Sequence, residues 1–383
     1  MKKIVVIIDA LKDVTAFKDS DIFKEYNQNT IIPPFSFKPE AAFLTGYSPE
    51  KTDSGTMYIM DEKTSYFKNN FLIGFLPEKP YLLRKIIKVL LIKYIKFIKK
   101  INSNKKIDIG FIPFKLLSKF SLSHDFNFFD SNCNFKYDTI FNKLKNKDKK
   151  YLYVGEPFIS GRLENIRENL STSDLDNNNI FFLYITDLDA IGHKFGGSSK
   201  EYSQQLGKTI NYLEEIAIYL KSKNLVYEFL IFGDHGMVDI KRTINIKKEI
   251  ERTNFKINHD YIYFLDSTLA RFWFKNEQVK QEIKKILSND KFGNWISDEE
   301  KTEYQINFQH DKFGEEIWWA SGGTLISPNF WQGTNFIKGM HGYKNEVIEN
   351  NTMVLYKKET DHTDDTISMM ELNKLLIKFL DLN

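Results

Sequence analysis

Short, uninterrupted apolar runs alternate along this chain with longer stretches in which apolar residues recur every three or four positions. The runs lie at residues 4–8, 151–154, 180–186 and 227–232. Such runs are typical of strands that are buried on both faces of a sheet. Helices are predicted at residues 39–46, 138–145, 201–221 and 371–380. This order predicts an α/β fold, with a mostly parallel central sheet and helices on both of its faces.

Two long segments, residues 63–150 and 243–337, interrupt the alternating pattern. The second carries strand-like runs and a helical stretch, at residues 261–265, 270–274 and 279–287. We interpret residues 1–383 as a single catalytic domain in which both segments are inserted caps over the functional site.

A basic stretch at residues 81–100 lies within the first of these segments and has helical spacing of its apolar residues. Two interpretations are open. A basic amphipathic helix can make peripheral contact with an anionic membrane. Alternatively, it is a cap helix whose apolar side is packed and whose lysines are solvated. We favour the second, because lysine is abundant throughout the chain and an apolar stripe usually belongs to a core.

Charge and cysteine content narrow the class of protein. The net charge of +3 is small for 383 residues, whereas a protein that binds nucleic acid polymers is usually strongly basic. Cys133 is the only cysteine, so the chain has no internal disulfide framework and fits a reducing compartment. The apolar run at 4–8 is shorter than the roughly 7–15 residues of a signal peptide, and no apolar stretch reaches the roughly 18 residues of a transmembrane helix. We therefore expect a cytoplasmic protein, and its oligomeric state stays open.

Residues of the metal-ligand type occur in four separated segments, most of them close to the end of a predicted strand. They are Asp9, Asp189, His193, Asp234, His235 and His341. Each segment alone is weak evidence, because an aspartate after a strand is often a helix cap and a lone histidine is often structural. Together, aspartates and histidines gathered from distant strand ends suit a centre of two divalent metal ions that carries out phosphoryl transfer.

At these segments the sequence resembles the alkaline-phosphatase superfamily, and most of all its type I phosphodiesterase/nucleotide pyrophosphatase branch, with phosphonoacetate hydrolase as a near relative. The matching stretches are residues 5–9, 36–50, 189–196, 233–237 and 339–343. They are spread over nearly the whole chain, while the two long segments match poorly.

The resemblance implies a ligand set and a nucleophile. One zinc ion is expected on Asp189, His193 and His341, and the other on Asp9, Asp234 and His235, with manganese as an alternative metal. The family nucleophile stands nine residues before the threonine of a Thr-Gly pair. Thr45-Gly46 is that pair here, so Ser36 is the expected nucleophile, with its Oγ facing both metals. Metal coordination would lower the pKa of this hydroxyl and so activate it.

Ser36 also has a structural interpretation as the N-cap of the helix that begins near Pro39, and the two roles are compatible, since a helix N-terminus attracts phosphate. The sequence departs from the family three residues after Ser36, where a phosphate-binding asparagine is common and Pro39 stands instead. Lys38, or the backbone N–H of Phe37, is the expected substitute in substrate binding.

The sequence therefore predicts a metal-dependent hydrolase that cleaves a phosphodiester or nucleotide-like substrate through a phosphorylated Ser36. A phosphomonoesterase, a phosphonate hydrolase or a phosphotransferase with the same centre is the alternative. A non-catalytic protein with a relict site, binding a membrane surface or a partner, is the alternative of another class. Trp318, Trp319 and Trp331 either line a pocket for an apolar leaving group or belong to the core of a cap.

Overall fold

The computed structural model describes residues 1–12, 14–35, 38–101, 107–288, 291–357 and 365–383. Its strands are β1 (Lys2–Ile8), β2 (Asn27–Ile32), β3 (Tyr58–Met60), β4 (Phe120–Leu122), β5 (Leu152–Gly155), β6 (Ile180–Ile185), β7 (Tyr227–Gly233), β8 (Val238–Asp239), β9 (Arg242–Ile244), β10 (Tyr261–Leu265), β11 (Leu269–Phe274), β12 (Gly293–Trp295), β13 (Glu316–Ala320), β14 (Thr324–Ile326), β15 (Gly339–Met340), β16 (Thr352–Tyr356) and β17 (Thr366–Ser368). Its α-helices are α1 (Glu40–Thr45), α2 (Pro49–Thr52), α3 (Tyr81–Ile98), α4 (Ile140–Asn146), α5 (Leu163–Asn169), α6 (Thr172–Asn177), α7 (Asp187–Phe195), α8 (Lys200–Ser222), α9 (Ile246–Ile250), α10 (Glu277–Ile286), α11 (Asp298–Glu303) and α12 (Met369–Phe379). Short 3-10 helices cover Thr15–Asp19, Phe71–Phe75, Phe114–Lys119, Asp311–Phe313 and Ile348–Asn350.

A seven-stranded sheet in the order β17-β2-β16-β7-β1-β6-β5 organises the fold. β1 lies near its centre and pairs in parallel with both β6 and β7, and β5 extends the parallel part beyond β6. β16 runs antiparallel to β7 and to β2. The predicted α/β fold with a mostly parallel sheet is thus confirmed.

Both faces of the sheet are covered, because side chains of a strand alternate between the two faces. Every residue of β1 is buried. Ile4, Val6 and Ile8 pack into a core with α5, α7 and α8, whereas Val5 and Ile7 pack into a core with α1, α4 and α12. The continuous apolar run at 4–8 therefore reflects burial on both sides.

Ends of the predicted helices agree with the structure where a capping signal is present. α1 ends at Gly46, which has a left-handed φ of 78°, and α4 begins after Thr139, whose side chain forms a capping box with Asn142. Strand β1 begins earlier than predicted, at Lys2, and the ammonium groups of the buried Lys2 and Lys3 have polar partners. They contact the carbonyl oxygens of Asp176 and Asn178 and the carboxylate of Asp381, respectively.

A second, antiparallel sheet of four strands, β10-β11-β13-β12, forms within residues 243–337. Its apolar side chains share one core with those of the first long segment, for example Leu91, Ile95 and Phe114 against Phe264 and Phe272. α4, at the end of the first segment, packs on the central sheet instead. The division of the chain into one domain with two cap insertions stays a prediction.

Three of the five tryptophans in the second segment, Trp318, Trp319 and Trp331, are anchored in this packing. Trp318 is fully buried and donates its indole N–H to the carbonyl of Leu287, and Trp319 donates to Gly342. Trp331 donates to Asp266, which is ion-paired with the buried Arg271. These contacts agree with the interpretation of the tryptophans as core residues.

Helix α3 differs from the cap helix that the sequence favoured. Only Arg84, Leu91 and Ile95 of its residues are buried, and many of its other apolar side chains are exposed. Within the described part of the chain, no helix is long and apolar enough to cross a membrane.

Candidate metal centre

The predicted metal ligands meet at one edge of the central sheet. Asp9 directly follows β1, Asp234 and His235 follow β7, and Asp189 and His193 lie on α7, which begins just after β6. His341 follows β15, which pairs with β8 beyond the end of β7. Since the carboxyl ends of parallel strands lie at the same edge of a sheet, residues from four distant segments converge there.

The glycines that flank Asp234 and His235 allow close packing rather than an unusual backbone angle. A Cβ atom on Gly233 would lie 2.0 Å from Thr352 Oγ1, and one on Gly236 would lie 2.2 Å from the carbonyl oxygen of Glu349. Neither glycine has a positive φ. These two glycines therefore allow the end of β7 to approach the 3-10 helix at Ile348–Asn350 and β16 closely.

The ligand residues form two groups of three. Within each group, the ligand atoms all lie within 4.8 Å of one another. The first holds Asp189, His235 and His341, and the second holds Asp9, Asp234 and His235. His235 belongs to both groups, and its ring stacks on that of His341 with centroids 3.6 Å apart. The whole predicted ligand set is thus brought together.

His193 completes the first group from its other side. Its Nε2 lies 3.1 Å from Asp189 Oδ1, and His341 Nε2 lies 3.8 Å from the same oxygen. In the second group, His235 Nε2 lies 3.3 Å from Asp9 Oδ1. How the ligands divide between two ions stays a prediction.

Backbone carbonyls set the orientation of two histidines. Nδ1 of His193 lies 2.8 Å from the carbonyl oxygen of Gly339, and Nδ1 of His235 lies 2.9 Å from that of Gly236. A carbonyl oxygen only accepts hydrogen bonds, so Nδ1 carries the proton in each ring. Nε2 of each ring then faces the carboxylates, which is the arrangement of metal-ligating histidines.

The carboxylates of the centre are crowded. Burial raises the pKa of Asp9 well above its ordinary value, and the negative charges of Asp234 and Asp189 raise it further. Oδ1 of Asp189 is buried, and its contact with His193 Nε2 at 3.1 Å does not have the geometry of a hydrogen bond. Buried acceptor atoms that face one another suit a divalent cation, because its positive charge offsets the repulsion between the carboxylates.

The pKa values of His193 and His341 shift in opposite directions. Burial lowers the pKa of His193, but the close contact and negative charge of Asp189 outweigh it and raise that pKa above its ordinary value. Burial and the charge of His235 lower the pKa of His341 well below its ordinary value. For Asp189, burial disfavours the ionised carboxylate, but the neighbouring histidines outweigh burial and hold its pKa below the ordinary range.

Tyr184 is a residue of the centre that the sequence analysis missed. Its hydroxyl donates to Asp234 Oδ2 at 2.9 Å, while the N–H of Ala10 donates to Oδ1 at 3.1 Å. Burial and the charge of Asp234 raise the pKa of Tyr184 well above its ordinary value, so it stays a neutral donor. The sequence feature that could have indicated this role is a tyrosine near the carboxyl end of an otherwise apolar strand, because a buried tyrosine hydroxyl needs a hydrogen-bond partner.

Ser36 and Phe37 lie outside the described residues. Lys38 is half-buried, and burial lowers the pKa of its amine, opposed by the charge of Glu40. Burial also raises the pKa of Glu40, whose carboxyl is influenced by Lys38 and by Asp234. The charges of Lys38 and Glu40 thus act on one another, and the role of Lys38 in substrate binding stays a prediction.

The fold is that of the alkaline-phosphatase superfamily. Murine ectonucleotide pyrophosphatase/phosphodiesterase 5 superimposes with a TM-score of 0.62 at 16% identity, covering 100% of this chain and 96% of that one. The human protein of the same name gives a TM-score of 0.62 at 15% identity with the same coverage. An inactive variant of the murine protein in complex with AMP gives 0.60 at 16% identity, again covering 100% and 96%.

The chain belongs to the type I phosphodiesterase/nucleotide pyrophosphatase family, whose sequence model matches residues 112–344. The match includes every predicted ligand except Asp9, and it begins after Ser36. None of the curated proteins compared matches the chain. The predicted family is confirmed, while the likeness to phosphonoacetate hydrolase stays a prediction.

Proposed function

We propose that this protein is a phosphodiesterase or nucleotide pyrophosphatase that depends on two divalent metal ions and uses Ser36 as its nucleophile. The observation that carries the proposal is the partly buried cluster of three carboxylates and three imidazoles at the carboxyl edge of the sheet, with acceptor atoms facing one another. Family membership supports the reaction class. The AMP complex of the murine relative supports a small substrate that contains a nucleotide.

The proposed ligands are Asp189, His193 and His341 for one ion and Asp9, Asp234 and His235 for the other. Bound divalent cations would supply a low-pKa nucleophile and would balance charge on the phosphoryl oxygens. Zinc is proposed because imidazole and carboxylate are its usual ligands, and manganese is the alternative.

The chain's own residues would act in two steps. Ser36 Oγ forms a bond to phosphorus while the bond to the leaving oxygen breaks, and the leaving group takes up a proton. Water then cleaves the phosphoserine, releasing the phosphorylated product and restoring the hydroxyl. Meanwhile Tyr184 and the N–H of Ala10 hold Asp234 in place, and the carbonyls of Gly339 and Gly236 hold His193 and His235.

A phosphomonoesterase is the second candidate, and Lys38 favours it. Pro39 replaces the neutral asparagine that is common in the family, and the half-buried ammonium of Lys38 stands beside it. A cation suits the dianion of a monoester better than the monoanion of a diester, since each added charge strengthens the attraction.

Hydrolysis of bis-p-nitrophenyl phosphate and of p-nitrophenyl phosphate, before and after chelation, tests the proposal. We expect two metals per chain by mass spectrometry, faster cleavage of the diester, and loss of at least about a hundredfold in rate when the metals are removed. Zinc should restore the rate. Undiminished turnover by protein whose metals are shown to be gone would refute metal dependence, and faster monoester cleavage would favour the second candidate.

Tyr184→Phe removes one donor to Asp234 and leaves the rest of the centre intact. Since the partners of ligands commonly contribute tenfold or more to metal affinity, we expect zinc affinity to fall about tenfold. Titration of metal-free protein against a competing chelator measures it. Tyr219→Phe is the matched control, because that hydroxyl donates to the surface carboxylate of Asp176 at 3.0 Å. Equal affinities for Tyr184→Phe and the unsubstituted protein would exclude a role for this hydrogen bond.

A further inference from the structure

The side of α3 that faces away from the protein is apolar. The buried residues Arg84, Leu91 and Ile95 define one side of the helix. On the opposite side, the exposed fractions are 67% for Leu82, 52% for Ile86, 60% for Leu90 and 82% for Phe97. An ordinary surface helix has polar residues there, so this arrangement is the reverse of the usual amphipathic pattern. We call these four residues the outer face of α3.

Further exposed apolar side chains lie beside α3. Leu72 and Phe75 belong to the 3-10 helix at Phe71–Phe75 and are both largely exposed. Leu72 shares the lining of a surface cavity of about 280 Å³ with Tyr94 of α3, which places the two helices side by side. Contiguous exposed apolar surface of this kind on a folded protein usually marks an interaction site.

Positive charge accompanies the apolar surface, and ion pairs compensate only part of it. Residues 81–101 contain no aspartate or glutamate. Arg84 pairs with Glu78 and Lys88 with Asp108. Among the described residues, no ion pair involves the exposed lysines Lys85, Lys93, Lys99 or Lys100. The outer face of α3 is therefore apolar with a surplus of cations around it.

We propose that the outer face of α3 is a peripheral docking surface for an anionic phospholipid bilayer. Apolar side chains of such a helix enter the boundary between head groups and acyl chains, while lysines contact the anionic head groups. A second copy of the chain is disfavoured, because a symmetric contact through this face would bring lysines against lysines. This surface lies outside the metal centre, so the proposal is independent of the proposed reaction.

Sedimentation of the full chain with vesicles tests the proposal. Vesicles of phosphatidylcholine alone are compared with vesicles of phosphatidylcholine mixed with phosphatidylglycerol. We expect binding to the mixed vesicles only, and weaker binding as salt is raised. Phe97→Asn should reduce the affinity by about tenfold or more, given the area of a phenylalanine side chain. Lys93→Glu should reduce it by about fivefold or more.

Matched controls come from α8. Ile218 is 59% exposed and lies on that helix, so Ile218→Asn controls for Ile86→Asn and Phe97→Asn. Lys221→Glu controls for Lys93→Glu. Both controls should bind vesicles as the unsubstituted protein does, and all variants should keep their thermal unfolding midpoint and hydrolytic rate, because each changes an exposed side chain.

Three results would overturn the proposal. One is the absence of binding to the mixed vesicles. Another is equal binding to both vesicle types, which would remove the role of charge. The third is undiminished binding by Ile86→Asn and Phe97→Asn. A dimer in light scattering that these two variants convert to a monomer, without any vesicle binding, would assign the outer face of α3 to a second copy instead.

Discussion

Replacing Ser36 by alanine is expected to lower kcat by at least about a thousandfold, on the order of 4 kcal/mol of transition-state stabilisation, while leaving the metal content unchanged. The reason is that alanine removes the oxygen that attacks phosphorus but none of the proposed nitrogen and carboxylate ligands. The described residues on either side support the assignment. Phe35 packs edge-on against Trp319 at 4.7 Å, and Glu40 is close enough to Asp234 and His235 for their charges to act on its pKa.

The measurement is steady-state hydrolysis of bis-p-nitrophenyl phosphate together with metal content by mass spectrometry. Ser36→Thr is the informative companion variant, because a threonine hydroxyl is a nucleophile of the same kind and should retain turnover. Ser203→Ala, on the exposed side of α8, should change neither quantity. Activity of Ser36→Ala equal to that of the unsubstituted protein would assign the nucleophile to another residue.

Replacing His341 by alanine is expected to remove about one metal ion per chain and to abolish most of the turnover. His341 Nε2 lies 3.8 Å from Asp189 Oδ1, and the His341 ring stacks on the ring of His235. The substitution therefore removes a nitrogen ligand from the first group and the packing partner of His235 in the second group. A divalent ion that loses one of three protein ligands binds far more weakly, because the remaining ligands no longer close the site.

Metal content per chain after gel filtration in buffer free of added metal distinguishes the outcomes. His259→Ala serves as the matched control, since the His259 side chain is exposed and forms an ion pair with Asp260, far from the predicted ligands in sequence. We expect that control to keep the full metal content and rate. An unchanged metal content in His341→Ala would remove His341 from the ligand set.

The sequence predicts the central part of this fold because the strands there are buried on both faces. The inner positions of β1, β6 and β7 form apolar runs, and the acids and histidines stand where those runs stop. β2 was not predicted, because four of the six residues in its sequence, NQNTII, are polar and it offers no such run. It forms because β16 supplies a complete set of antiparallel partners, from Thr352↔Ile31 to Tyr356↔Asn27.

Parts of the candidate site could not be predicted from the sequence either. A tyrosine inside a buried run gives no indication that its hydroxyl will reach Asp234, because that depends on the register of β6 against β1 and of β1 against β7. Similarly, the sequence shows that 81–98 is an amphipathic helix but not which side is covered. The structure buries the narrow side of Arg84, Leu91 and Ile95 and leaves the wider apolar side exposed.

The central position of β1 has a consequence for how the protein is made. Its partner strands, β6 and β7, stand far along the chain, with Val5 opposite Phe182 and Leu230. At roughly 5–20 residues per second, the ribosome completes β6 on the order of ten seconds or more after β1. Throughout that interval the sequence IVVII has no native partner, so the nascent chain presents an aggregation-prone strand to chaperones before Asp9 can reach the site.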